Sequence, residues 1–107
     1  MDLNHWSAIG KIEDDPIAGK NSGKIQAFFN LIINRKKRDA NGQWIDNYSK
    51  APCYAFDNKA DAILNNCSAG QEVAVEAYYH SWKKNDGSDA HGMILQSISF
   101  GYKPKNQ

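Results

Sequence analysis

The sequence predicts an all-β fold, a five-stranded barrel with one short helix between the third and fourth strands. Three observations predict it. Apolar and polar residues alternate with a period of two through several separate segments. Clusters of Gly, Asn, Asp and Pro divide those segments. One stretch alone, with Ala60, Ile63, Leu64 and Cys67, has helical spacing, and it falls between the third and fourth extended segments.

The first strand runs from Asn4 to Ile12, with Trp6, Ala8, Gly10 and Ile12 on one face and His5, Ser7, Ile9 and Lys11 on the other. Glu13-Asp14-Asp15-Pro16 ends it, because proline lacks the amide that a central ladder needs. The three acids read as a solvated turn, and Gly19 to Gly23 as a flexible connection. In the second strand, Ile25 to Asn34, the odd positions Ala27, Phe29, Leu31 and Ile33 form a core face, while Phe28 and Ile32 interrupt the polar one. Arg35-Lys36-Lys37-Arg38 followed by Asp39-Ala40-Asn41-Gly42 makes a projecting, basic hairpin.

The return limb, Trp44 to Phe56, carries Tyr48, Lys50, Pro52, Tyr54 and Phe56 on one face and the small residues Ser49, Ala51, Cys53 and Ala55 on the other, directed inward. Pro52 suits an edge or a bulge. Asp57-Asn58 caps the helix, and Ser68-Ala69-Gly70 stops it. In Glu72 to Lys84 the core face is Val73, Val75, Ala77 and Tyr79, with Glu76, Tyr78, His80, Trp82 and Lys84 opposite. Asn85-Asp86-Gly87-Ser88 turns the chain into a last strand from about Met93 to Phe100, and Lys103 to Gln107 begins a tail.

Composition narrows the function classes. At 107 residues, 41% hydrophobic and 23% charged, the chain makes one globular domain, residues 1–102, with a tail at 103–107. No apolar run approaches the roughly 18 to 20 residues of a membrane span, and Met1 to His5 lacks the pattern of a signal peptide, so a cytoplasmic address is expected. A net charge of +1 means that attraction to a polyanion must be local. Cys53 and Cys67 lack metal-ligand spacing and read as buried thiols, and His5, His80 and His91 suit no metal site or catalytic triad. Without a phosphate-cradling loop, metal spacing or nucleophile motif, neither enzyme activity nor a cofactor is expected.

The strand–helix order resembles an OB-fold, whose exposed face and loops bind oligonucleotides. Asn4, the Ile9-Gly10 pair, Asp15-Pro16, the stretch Gly23 to Arg35, Cys53-Tyr54-Ala55-Phe56, Gly70-Gln71-Glu72-Val73 and Ile98-Ser99-Phe100 are similar to segments of the bacterial single-stranded-DNA-binding family, over Asn4 to Tyr102. That resemblance implies sequence-independent binding of single-stranded DNA in replication, recombination and repair, at the nucleoid or in an organelle. It also implies a homotetramer paired through the first strand, with replication proteins as partners. Phe56 keeps the family's stacking aromatic, whereas family tryptophan sites fall on Lys37, Lys50 and Lys84. The family's acidic terminal peptide has no counterpart at Lys103 to Gln107. The alternative is an interaction module similar to primosomal protein B of replication restart, which would be a dimer.

A binder without sequence preference needs cations for phosphates and flat rings for bases. The cations are Arg35, Lys36, Lys37, Arg38 and Lys50 on the first hairpin, with Lys83 and Lys84 on the second. The rings are Trp44, Tyr48, Tyr54, Phe56, Tyr78 and Trp82, and Tyr48 and Trp82 stand two residues from a lysine-substituted site, hence on the same strand face. Phe28 and Ile32 belong either to this platform or beneath a second apolar layer or a subunit contact, and Trp6 and Tyr79 to core or subunit contact.

Overall fold

The computed structural model describes residues 2–21 and 23–101; the expected tail at 103–107 lies outside them. The elements are β1 (Trp6–Ile12), β2 (Ile17–Asn21), β3 (Lys24–Asn34), β4 (Lys37–Arg38), β5 (Trp44–Ile45), β6 (Tyr48–Phe56), α1 (Asp57–Asn66), β7 (Glu72–Lys83) and β8 (Asp89–Phe100). Neighbours in the main sheet run β1, β7, β8, β6, β3, β2, and a further β1–β3 pairing closes the first five into a ring. The predicted five-stranded barrel is thus present, an OB-fold with its helix between the third and fourth barrel strands. All ring pairings are antiparallel except β6–β8.

Alternation dictates the interior. Ile12, Ala27, Phe29, Leu31, Cys53, Ala55, Val73, Val75 and Ala77 are all buried, and α1 contributes Ala60, Ile63 and Cys67 to the same core. Each fully buried large aliphatic side chain contributes about 1.5–3 kcal/mol. Closure of the ring depends on Gly10: a Cβ there would stand 2.5 Å from the Ile32 carbonyl oxygen, so only glycine lets β1 cross β3 this closely. Two polar side chains brace the same strand. Asn4 extends it beyond Trp6, its amide donating to the Tyr79 carbonyl at 2.7 Å and its oxygen accepting from the Tyr79 N–H at 2.9 Å. Asp15 accepts the Ala69 N–H at 2.8 Å, tying the turn after β1 to the loop after α1.

The structure corrects several expectations. Residues 17–21 form strand β2, paired with β3 from Ile17↔Phe28 to Asn21↔Lys24, rather than a flexible connection. Edge position explains why proline immediately before it is harmless. The acids are not simply solvated, since Glu13 holds Lys50 at 2.9 Å and Asp15 caps the Ala69 amide. Asp57 makes no side-chain cap; it adopts a left-handed φ of 56° in the first turn of α1. Tyr79 keeps the predicted parity yet is 50% exposed; the β1–β7 ladder ends at Trp6↔Ala77, two residues before it. The last strand starts at Asp89 rather than Met93. A register shift at Glu76/Ala77 leaves Gln96 without a partner, so both Leu95 and Ile98 pack toward the core. Pro52 sits opposite Asn30 in the β3–β6 ladder, and pairing with β8 begins only at Cys53, so its missing amide falls where the strand has one neighbour.

Candidate functional site

Side chains of β3, β6 and β7 build one continuous row of rings. Phe28 on β3 lies 4.9 Å from Tyr54 on β6, and Tyr54 meets Trp82 on β7 edge-on at 5.1 Å. Trp82 stacks on His80 at 5.8 Å with an interplanar angle of 18°, and His80 stands 6.4 Å from Tyr78. Tyr54 and Trp82 belong to strands separated by β8, so their contact needs small residues between them. Ala90 lies opposite Trp82 and Gly92 opposite His80. A Cβ on Gly92 would stand 2.5 Å from the Tyr54 ring. That glycine lets the tyrosine lie across the strand, where partial burial raises the pKa of its hydroxyl.

The row floors an open groove of ≈ 610 Å³, lined by Lys20, Gln26, Tyr54, Phe56, Tyr78, His80, Trp82, Lys83, Lys84, Asn85 and Ile94. Its charged side chains are lysines, with no carboxylate among the described residues that line it. Such a groove suits a flat, anionic ligand: rings take the flat part and ammonium groups the charge. The far rim is held by the turn at Lys84–Ser88, where Asp86 accepts the Ser88 N–H at 2.9 Å and its hydroxyl at 2.6 Å. Those bonds hold the Asp86 carboxyl below the usual carboxylate range. Lys83 pairs with Asp89 at 3.0 Å in full solvent, a contact of little energetic weight.

The basic hairpin forms a second cluster. β4 and β5 pair as Lys37↔Ile45 and Arg38↔Trp44, and the Arg38 guanidinium lies 5.0 Å over the Trp44 ring. Asp39 closes its tip by accepting the Asn41 and Gln43 amides, both at 2.9 Å. Its root is a polar knot in which Asp46 accepts from Lys36 at 2.9 Å, from Asn34 at 3.1 Å and from the Tyr48 hydroxyl at 3.3 Å. Lys36 holds the Asp46 carboxyl below its ordinary range and is itself raised by it. Trp44 and Tyr48 remain exposed at 61% and 63%.

Of the residues selected from sequence, Tyr54, Phe56, Tyr78, Trp82, Lys83 and Lys84 come together in the groove. Arg35, Lys36, Lys37, Arg38, Trp44 and Tyr48 gather at the hairpin and its root, while Lys50, on the Tyr48 face, has its ammonium engaged by Glu13. Sequence reasoning missed Lys20, Gln26 and His80 as groove residues, and left the position of Phe28 open. The signal for His80 was its place between Tyr78 and Trp82 at a spacing of two. Cys53 and Cys67 are buried, and burial pushes the Cys53 thiol up to about 12. Among the described residues there is no metal-holding cluster of His, Cys, Asp or Glu, and no helix long and apolar enough to cross a membrane.

Residues 3–99 match the profile of the single-strand binding protein family. The chain is 28% identical to single-stranded DNA-binding protein 2 of Chlorobaculum tepidum, over 81% of this chain and 62% of that protein. It is 25% identical to the single-stranded DNA-binding protein of Borreliella burgdorferi, over 94% of this chain and 72% of that one. In fold it is similar to the Plasmodium falciparum SSB in its complex with ssDNA, with a TM-score of 0.79 at 23% identity, covering 95% of this chain and 97% of that chain. The small single-stranded DNA-binding protein of Streptomyces coelicolor gives 0.70 at 15% identity, covering 94% and 96%.

Proposed function

The chain belongs to the single-strand binding protein family, and from that premise we propose that it binds single-stranded DNA without sequence preference, protecting it during replication, recombination and repair. One observation carries the reading: a groove floored by Tyr54, Tyr78, His80 and Trp82, flanked by Lys20, Lys83 and Lys84, with no lining carboxylate among the described residues. Bases stack on the rings and phosphates meet the lysines, and neither contact depends on base identity. The hairpin with Arg38 and Trp44 offers a second contact for the same strand.

The role is one of binding, not catalysis, in the bacterial cytoplasm or an organelle interior. Assembly as a homotetramer through β1 belongs to the same reading, and Ile9, 66% exposed on the outer face of that strand, supports it. The test is titration of the protein with a dT oligonucleotide while following tryptophan fluorescence. Saturable quenching, reduced in Trp82→Phe, is the expected result; a dT oligonucleotide that leaves the wild-type emission and sedimentation unchanged would overturn the proposal.

A further inference from the structure

Among the described residues that line the groove, His80 is the one histidine, the side-chain type that serves as a charge switch in the physiological range. Its ring is exposed, stacks on Trp82 at 5.8 Å and 18°, and stands 6.4 Å from Tyr78. Opposite it in the β7–β8 ladder is Gly92, which brings no side chain over the imidazole. The titratable residues that line the groove with it are Lys20, Tyr54, Tyr78, Lys83 and Lys84, of which Lys83 pairs with Asp89. Two carboxylates stand at the groove's rim rather than in its lining: Asp86 accepts from Ser88 and lies near Lys84, and Asp89 pairs with Lys83.

We propose that His80 is a strand-contacting residue of this groove and that its imidazolium adds a phosphate contact, so that single-stranded DNA binds more tightly as pH falls. The inference rests on the reading of the groove as a single-stranded DNA site. A neutral imidazole stacks like any other ring, but a protonated one also attracts phosphate, and a phosphate in the groove favours the charged form. Strand binding therefore takes up protons. The sign follows from linkage: if the bound state holds more protons than the free state, affinity rises as pH is lowered.

The experiment measures dT-oligonucleotide affinity at about pH 8 and about pH 5.5, across several salt concentrations, for the wild type, His80→Phe, His80→Lys and His91→Phe. The wild type should tighten by about threefold to tenfold at the lower pH, and its slope of log affinity against log salt should steepen by up to about 0.7. His80→Phe, which keeps a ring, and His80→Lys, which keeps a charge, should both lose the pH dependence. His91, beside Tyr79 at 5.9 Å and outside the groove, serves as the control, and its Phe variant should retain the wild-type dependence. A wild type that binds equally at both pH values, or a His80→Phe variant that still tightens, would overturn the inference. Absence of dT binding by the wild type at either pH would instead overturn the groove's function itself.

Discussion

Gly92 decides where the ring of Tyr54 lies. A methyl group at this position would stand 2.5 Å from that ring and 3.1 Å from the Pro52 carbonyl oxygen, and the ring is the part free to move. Gly92→Ala should therefore leave a folded barrel by circular dichroism, yet displace Tyr54 from Trp82 and lower dT affinity by about 1–3 kcal/mol, the usual worth of one stacked base. Unchanged affinity would mean that the Tyr54–Trp82 contact is packing alone. Charge separates from stacking by salt dependence. Lys84→Ala should reduce the slope of log affinity against log salt by roughly 0.7, whereas Phe56→Ala should lower affinity with little change in slope. Lys50→Ala should have less effect than Lys84→Ala, because Glu13 already holds the Lys50 ammonium at 2.9 Å. In Glu13→Gln that ammonium is released, and the slope should steepen.

At the scale of elements, ring closure is the vulnerable step. Gly10→Ala would set a Cβ 2.5 Å from the Ile32 carbonyl oxygen, where backbone rather than a flexible side chain must yield. A loss of about 1–3 kcal/mol in urea unfolding is expected, and a neutral effect would show that β1 can move away from β3. The turn after β7 adds a pH term. The Asp86 carboxyl lies below its usual range because it accepts two bonds from Ser88, so its contribution is complete above the ordinary carboxylate range and is lost as pH falls through the lowered one. Melting temperature should fall between about pH 6 and about pH 3, and less so in Asp86→Asn. The ring strands were legible because each has one face in the core, which writes an alternation into β1, β3, β6 and β7. β2 was not legible because Ile17 to Lys20 are all exposed, leaving no alternation to read. Tyr79 obeys the alternation but lies past the last β1–β7 pair, Trp6↔Ala77, a boundary that periodicity does not mark. The groove was half legible: parity put Tyr78, His80 and Trp82 on one face, but the approach of Tyr54 across Gly92 and Ala90 depends on cross-strand register, as does the arrival of Lys20 from β2.

For the whole molecule, a net charge of +1 shows that attraction to DNA must come from where the charges sit rather than from their sum. Glu13, Asp46 and Asp86 are each committed to a partner outside the groove's lining, and Asp89 pairs with Lys83 at its rim, so among the described lining residues the charged side chains are all lysines. Such a surface distinguishes strands by whether their base faces are available. In a duplex the bases are stacked on one another and only phosphates remain, so the lysines alone would hold it. The direct measurement is competition at one fixed salt between a dT oligonucleotide and a duplex of equal length for the same protein. Preference for the single strand by about tenfold or more is predicted, since one stacked base is worth about 1–3 kcal/mol, and equal affinity for both would contradict the account.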